Sequence, residues 1–331
     1  MSMYINGAKK VNGIFANING ETKKIVSAWA NKDGVATKVF SSGLNKFVAI
    51  GPTPCYSKDG KVWIDNGVSN EIMNSVTYGK TNAGEMFVAV GVLGKSYYSL
   101  DGETWSAMSG LASSQFYAVT YGNNRFMAVG VGGKTYYSTN GKTWSAMSSI
   151  SSMGTTDELR GVAYGNQRFV AVGYSGKAYV SVIGGTYWDK ATNFPSEDFV
   201  AIAYGDGKFV AIGGGGVAYS SVDGKTWSAM GEFDDYMKYG ITYGKGRFVI
   251  VGHRGKSYYC ADGKTWVAMS GLDDSRYYAV TYANGKFITV GESGKSYYSL
   301  DGETWVATSG LNSSSTYYGV CYSINGGYDN S

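Results

Sequence analysis

The sequence contains little proline, cysteine and histidine: three, three and one residues among 331. The cysteines, Cys55, Cys260 and Cys321, are odd in number and show no paired spacing, which predicts free thiols. His253 is the single histidine, which disfavours a catalytic triad that uses histidine and a histidine-rich metal site. The formal net charge of +4 does not indicate a nucleic-acid partner. The sequence has no run of 18 apolar residues, so it predicts no membrane span. The first residues lack the apolar segment of a signal peptide, so we expect synthesis in a cytoplasm without a leader.

What the chain does contain is a repeat. The segment GKSYYSLDGETW occurs at 94–105 and again at 294–305. Seven tryptophans recur at intervals of 39 to 44 residues, at Trp63, Trp105, Trp144, Trp188, Trp227, Trp266 and Trp305. A period of about 40 residues lies in the range of propeller and solenoid repeats.

Each repeat has the composition of four short strands. Runs of four to six residues rich in Val, Tyr, Phe and Thr are bounded by Gly, Asn or Asp, and no segment shows a helical period. The 49 glycines fit many tight turns that need a positive φ. The sequence therefore predicts an all-β fold, a seven-bladed β-propeller of four-stranded blades, in preference to a linear β-solenoid.

The chain offers eight candidates for the seven inner strands, so ring closure must be decided. The first candidate is VATKVF at 35–40, and the last is the run at 317–322, which no hairpin follows. An unpaired hydrophobic strand edge is a liability, so we expect 317–322 to pair beside 47–51 and close the ring. Residues 1–42 then form a small β-hairpin module, and residues 43–331 form the propeller.

The turn between the third and fourth strands has a common form, as in SLDGETW at 99–105. It resembles the Asp-box of sialidases and other BNR-repeat propellers, with one residue fewer between Asp and Gly, and the copy at 181–188 has Ile183 in place of Asp. The resemblance implies a structural element, in which the side chain accepts backbone N–H bonds within its own turn and the tryptophan packs between blades. The polar residues are Asp59, Asp101, Asn140, Asp223, Asp262 and Asp301.

The residues that sialidase chemistry would need are not arranged for it. That chemistry uses an arginine cluster, but Arg125, Arg168 and Arg247 occupy one repeat position and predict a periodic solvated ring. The motif G-x-x-G-K-[ST], as at 91–96, has two residues where a phosphate-binding loop has four, and a strand follows it instead of a helix. We therefore expect no enzyme, no cofactor and no metal site, with paired-carboxylate glycosidase chemistry as the less favoured alternative.

The repeats diverge on one face. Strand alternation places the second hairpin tips and the connections between blades together there, and loops on a rigid scaffold often carry specificity. This loop face offers aromatic, charged and amide side chains suited to sugar recognition. The candidate ligand-binding residues are Tyr174, His253, Arg254, Glu292, Arg160, Asp234, Asp235, Tyr236, Asp273, Asp274 and Arg276.

The first 40 residues, with the pattern ING…NGETKKI…NKDGVATKVF, look like the short repeats at the starts of tail and minor structural proteins of phages of Gram-positive bacteria. The resemblance implies a virion tail protein made in the host cytoplasm, anchored to other tail or baseplate proteins through residues 1–42. We expect the propeller to be a receptor-binding adhesin for a cell-surface carbohydrate. The alternative is a structural or assembly propeller that binds other proteins.

Overall fold

The structure is a computed structural model. It describes residues 45–66, 71–147, 157–181 and 187–323 in full, and the backbone of 14–18, 21–25, 27–32 and 35–41. The described residues are almost entirely β-strands and turns, with three short 3₁₀ turns at Val92–Gly94, His253–Gly255 and Glu292–Gly294. Among them, no helix is long and apolar enough to span a membrane.

The chain divides into two compact units. The first contains two antiparallel hairpins, in which β1 (Ile14–Ile18) pairs with β2 (Glu21–Ile25) and β3 (Ser27–Lys32) pairs with β4 (Val35–Ser41). The second, Lys46–Ser323, contains seven four-stranded antiparallel sheets.

The seven sheets are the blades of a β-propeller, as predicted. Blades 2 to 7 each consist of four consecutive strands, and blade 1 combines strands from both ends of the unit. The strands of blades 1 to 4, apart from the last strand of the chain, are β5 (Phe47–Ile50), β6 (Cys55–Ser57), β7 (Ile64–Asp65), β8 (Met73–Thr81), β9 (Gly84–Gly91), β10 (Ser96–Ser99), β11 (Ser106–Ala107), β12 (Phe116–Gly122), β13 (Arg125–Gly130), β14 (Thr135–Ser138), β15 (Ser145–Ala146), β16 (Leu159–Gly165), β17 (Arg168–Gly173), β18 (Lys177–Ser181) and β19 (Trp188–Lys190). Those of blades 5 to 7, with the last strand, are β20 (Phe199–Gly205), β21 (Lys208–Gly213), β22 (Val217–Ser221), β23 (Ser228–Glu232), β24 (Lys238–Gly244), β25 (Arg247–Gly252), β26 (Ser257–Cys260), β27 (Val267–Ala268), β28 (Tyr277–Ala283), β29 (Lys286–Gly291), β30 (Ser296–Ser299), β31 (Val306–Ala307) and β32 (Gly319–Tyr322).

The last strand closes the ring. β32 pairs antiparallel with β5, with Gly319 opposite Ile50 and Tyr322 opposite Phe47. β4, the rival candidate, pairs with β3 in the N-terminal unit. The predicted closure by the C-terminal strand is therefore confirmed, because β5 gains a partner on its inner edge and β32 is not left unpaired.

The hydrophobic core lies between blades. One apolar cluster joins Val170 and Val172 of blade 4 to Phe199 and Phe209 of blade 5, and clusters of the same kind join other neighbouring blades. The three cysteines are buried free thiols, as predicted. Because both faces of a blade are covered by its neighbours, the second strands are buried along nearly their whole length.

A tyrosine–glycine contact recurs at these interfaces. A β-carbon added to Gly165 of blade 4 would meet the ring of Tyr204 in blade 5, and Gly122, Gly205 and Gly244 face tyrosine rings of the following blades in the same way. The inner strands approach this closely only because the glycine has no side chain.

The loop face has its own contact between blades, and this contact explains the G-x-x-G-K motif. The amide of Gly94, at the tip of blade 2, donates to the carbonyl oxygen of Ser114 at 2.6 Å, and Gly255 donates to Ser275 at 2.8 Å. Gly94 and Gly255 have φ of 72° and 62°, and a β-carbon on either would collide with a carbonyl of the following connection. The glycine is thus required for the turn and for the close approach of the next loop.

We predict that Gly165→Ala destabilises the propeller. The new β-carbon would lie within 2.5 Å of three ring atoms of Tyr204, and overpacking of this kind costs about 1–3 kcal/mol of unfolding free energy. Equilibrium denaturation in guanidinium chloride measures the loss. Gly215→Ala is the matched control because nothing lies within 4 Å of the added carbon there. Equal stability of the two variants would contradict the proposed role of the contact.

Candidate functional site

The Asp–Gly turns on the face opposite the loop face fold around their own side chains. Asp262 Oδ1 accepts the backbone N–H groups of Lys264 at 2.8 Å and Thr265 at 2.7 Å. The side chains of Asp59, Asp101, Asn140, Asp223 and Asp301 accept the equivalent pair of N–H groups. We call this side of the ring the box face. The copy at 181–188 has residues 182–186 outside the described ranges.

The same turns connect neighbouring blades. The backbone N–H of Trp144 donates to the carbonyl of Ser109 in the preceding blade at 2.8 Å, and its indole N–H reaches Ser96 Oγ at 3.2 Å. Trp305 repeats both contacts with Ser270 and Ser257. Trp63, Trp188 and Trp227 are also buried, whereas Trp105 and Trp266 are partly buried. These contacts give the turns a structural role in joining blades.

The repeat position of Arg125, Arg168 and Arg247, which Lys286 occupies in blade 7, lies on the box face, and three of these side chains contact the following blade. Arg168 Nη1 donates to the carbonyl of Asp223 at 3.3 Å, and Arg247 Nη1 lies 3.0 Å from Glu303 Oε1. Lys286 Nζ donates to the carbonyl of Asp59 at 2.7 Å across the ring closure. These bases are therefore distributed around the ring.

On the loop face, two of the candidate acids anchor their own connections. Asp234 bonds the buried ammonium of Lys238 and accepts the hydroxyl of Tyr258 at 2.6 Å. Asp273 accepts the hydroxyl of Tyr277 at 2.7 Å and pairs with Lys295 at 2.9 Å. Burial alone would raise the pKa of Asp273, but these hydrogen bonds outweigh it and lower that pKa to about 2.

The remaining candidates of blades 6 and 7, apart from Asp235, form two groups. Arg254 Nη1 lies 3.3 Å from the Tyr236 hydroxyl, and Arg254 Nε lies 3.6 Å from Asp274. The ring centroids of His253 and Tyr236 are 6.1 Å apart. Arg276 pairs with Glu292 at 3.8 Å, while Asp235 is exposed. The structure thus brings several candidates together on the loop face, and Arg276 also hydrogen-bonds Tyr278 of an inner strand.

A different set of residues surrounds the central channel. Six of the seven inner strands carry a β-bulge near their start, for example between Tyr277 and Ala279. A bulge redirects a side chain out of the regular alternation. The residues at the bulges, with the equivalent residue of blade 1, are Asn74, Tyr117, Arg160, Val200, Tyr239, Tyr278 and Tyr318. We call them the rim.

The rim residues line a cavity of about 190 Å³ at the channel mouth. The rings of Tyr239 and Tyr278 have centroids 5.0 Å apart, and those of Tyr278 and Tyr318 are 5.1 Å apart. On the other side, the guanidinium of Arg160 lies 3.7 Å from the ring centroid of Tyr117 and 4.2 Å from that of Tyr174. All seven rim residues are half-buried, which leaves polar edges available within an otherwise packed ring.

The cavity is also lined by an apolar collar, which lies two residues further along each inner strand. Its members are between 6% and 8% exposed: Val76, Val119, Val162, Ile202, Ile241, Val280 and Val320. A ligand at this mouth would meet aromatic and polar groups and an apolar ring. Partial burial raises the pKa of Tyr239. The charges of Arg276, Glu292 and Tyr174 also influence the pKa of this hydroxyl.

Sequence reasoning identified Arg160, and Tyr174 beside it, but missed the other six rim residues. A signal was available in the inner strands themselves. The collar position is always Val or Ile and the position two residues later is always Tyr, whereas the rim position varies among Tyr, Arg, Asn and Val. Among the described residues, no group of three or more His, Cys, Asp or Glu is placed to hold a metal ion.

Comparison with known proteins supports the fold. Residues 143–276 match the model of a family described as the DUF6242 beta propeller domain, which is less than half of the chain. No curated protein matches. A structure described as YCF48 bound to D1 peptide is 18% identical with a TM-score of 0.57, covering 72% of this chain and 82% of its own. YCF48 from Cyanidioschyzon merolae is 17% identical with a TM-score of 0.57 (77% and 95%), and virginiamycin B lyase from Staphylococcus aureus is 9% identical with a TM-score of 0.60 (73% and 85%). Identities this low establish the propeller architecture alone.

The box turns predict a defined response to acid. Hydrogen bonds from Thr265 and Lys264 hold the pKa of Asp262 well below its usual value. The pKa values of Asp59 and Asp301 are lowered in the equivalent turns of their own blades. A carboxyl whose pKa is lowered by folding stabilises the folded state at pH values above its unfolded pKa of about 3.9. This stabilisation is lost as the pH falls through the lower pKa of the folded state. We expect the unfolding free energy to fall below about pH 4, and to fall less steeply in the Asp59→Asn/Asp262→Asn/Asp301→Asn variant.

The chain supplies the control, because Asn140 already makes the same hydrogen bonds without a charge. Asn140→Asp should steepen the acid dependence, measured by denaturant unfolding at several pH values. Parallel curves for the wild type and both variants would show that these turns do not set the acid response.

Proposed function

We propose that the propeller is a non-catalytic binding module that recognises a carbohydrate at its channel mouth, as the receptor-binding part of a phage tail protein. The observation that carries the proposal is the rim, where four tyrosines and an arginine are half-buried around a cavity. Ligand sites are commonly concave, lined by aromatic and apolar side chains, with a few polar groups that fix orientation.

The arrangement of the tyrosines supports a saccharide. Tyr239, Tyr278 and Tyr318 form a continuous arc of tilted rings on one side of the mouth. Such rings offer apolar faces to the C–H surface of a sugar, and their hydroxyls add hydrogen bonds. In the blade that follows Tyr318, Asn74 is held by a bond from its Nδ2 to the carbonyl of Phe116 at 2.8 Å, and its amide oxygen is a further acceptor.

A binding role is supported over acid–base catalysis by the composition of the mouth. Its described lining residues include no carboxylate and no histidine, and such groups are the usual proton donors and acceptors. Two arginines of the repeat position, Arg168 and Arg247, contact neighbouring blades on the box face. Glycosidase activity therefore finds less support at the mouth than binding does.

The tail location is proposed from the N-terminal segment. Its short Lys- and Asn-rich repeats resemble the starts of phage tail proteins, and four of its strands form two hairpins. We propose that residues 1–42 attach the module to tail or baseplate proteins. The second candidate function is binding of a protein segment. It is supported by the similar fold of YCF48, whose structure contains a bound peptide.

We expect the full-length chain to bind saccharides on a bacterial glycan array, and Tyr239→Ala and Tyr278→Ala to weaken that binding by about tenfold each. The loss follows from removing the aromatic faces at the mouth. Isothermal titration calorimetry with the best array ligand gives the affinities, and thermal unfolding confirms that the variants are folded.

Tyr187→Ala is the matched control, because Tyr187 is 48% exposed beside the outer strand of blade 4 and does not line the mouth. Binding that survives both rim variants would move the site to the loop-face group of Arg254, Tyr236, His253 and Asp274. Absence of binding to every saccharide, with capture of a peptide at the rim, would favour the second candidate function.

A further inference from the structure

We infer that the ligand of the channel mouth carries a negative charge, a carboxylate or a phosphate group, and that Arg160 receives it. The inference rests on the proposed function and specifies its ligand. Among the described residues that line the cavity, Arg160 is the one charged side chain. The other rim positions carry tyrosine, asparagine or valine.

The structure holds the Arg160 guanidinium in a fixed plane. Its carbon lies 3.7 Å from the Tyr117 ring centroid and 4.2 Å from that of Tyr174, so aromatic rings cover its faces. Its Nη2 donates to Glu158 Oε2 at 2.6 Å. A guanidinium presents five N–H donors around its edge, and a stacked one loses little further freedom on binding an anion. The cation is thus preorganised before any ligand arrives.

The bulge places this side chain at the mouth. Leu159 pairs with Gly173 and Gly161 pairs with Val172, so Arg160 is the extra residue of the inner strand. Glu158, two residues before Arg160, is not among the residues that line the cavity. A ligand anion can therefore approach Arg160 from the channel side while Glu158 keeps its own bond.

The other arginines lack this setting. Arg125, Arg168 and Arg247 begin second strands on the box face. Arg254 and Arg276 are on the loop face and, like Arg160, are paired with acids, and Arg276 also bonds the rim residue Tyr278; both are exposed, however, and neither lines the cavity. Arg160 is 25% exposed, so its field is screened less by solvent than that of an exposed arginine.

Glu158 gives the inference its sharpest test. Its side chain is 34% exposed, and its negative charge partly neutralises the positive charge of Arg160. Glu158→Gln keeps the shape and removes the competing charge, so binding of an anionic ligand should become several-fold tighter. Arg160→Gln should weaken the same binding by about tenfold or more, because a charge-assisted bond is lost. A merely structural pair would move affinity in the same direction in both variants.

The full-length chain is titrated by calorimetry with oligogalacturonate, its methyl ester and poly(glycerol phosphate), and is applied to an array of acidic saccharides with their neutral counterparts. We expect acidic ligands to bind more tightly than the matched neutral ones, and less tightly as salt is raised. A preference between the carboxylate and phosphate probes identifies which anion the site takes. Arg168→Gln, on the box face, is the charge control and should leave affinity unchanged.

The outcomes separate the two proposals. If matched neutral saccharides bind as well as acidic ones, and Arg160→Gln has no effect while Tyr239→Ala removes binding, the anionic ligand is excluded and the carbohydrate site stands. If neither acidic nor neutral saccharides bind, both proposals fail. Opposite shifts in Glu158→Gln and Arg160→Gln, restricted to acidic ligands, would establish the inference.

Discussion

The packing of each blade against the next is the constraint on which the rest of the propeller depends. Each described apolar cluster is shared by two neighbouring sheets, so a single blade has no core of its own. Every blade therefore needs two neighbours, and a row of seven satisfies this only when its ends meet. The pairing of β32 with β5 supplies that last contact, and Tyr317 is fully buried beside it.

The two faces of the ring support this packing with different chemistry. On the box face, an Asp or Asn side chain folds its own turn, and the following tryptophan bonds the preceding blade. On the loop face, a hairpin-tip glycine bonds the next connection, and acids such as Asp273 pin that connection to a neighbouring hairpin. The repeated motifs that invite a phosphate or enzyme interpretation are thus used in joining blades.

Much of the fold could be predicted from sequence, because the signals are local and occur seven times. The 40-residue period, the Asp–Gly turns and the edge argument for 317–322 predict the propeller and its closure. The rim could not be predicted in this way, because a bulge inserts one extra residue into a strand and no particular residue type marks the insertion. Tyr117 and Tyr278 therefore resemble ordinary strand residues, and Asp234 and Asp273 resemble free loop acids although both anchor their connections.

The position of the rim also explains how one scaffold accommodates such different side chains there. The collar residue and the tyrosine two residues later pack between blades, and these two positions hardly differ from blade to blade. The rim residue is the extra residue of a bulge and remains half-buried at the mouth, so its identity contributes less to blade packing. Arginine, asparagine, valine and tyrosine can then occupy equivalent places at modest cost in stability. A site built from such positions can change its ligand while the contacts that close the ring stay the same.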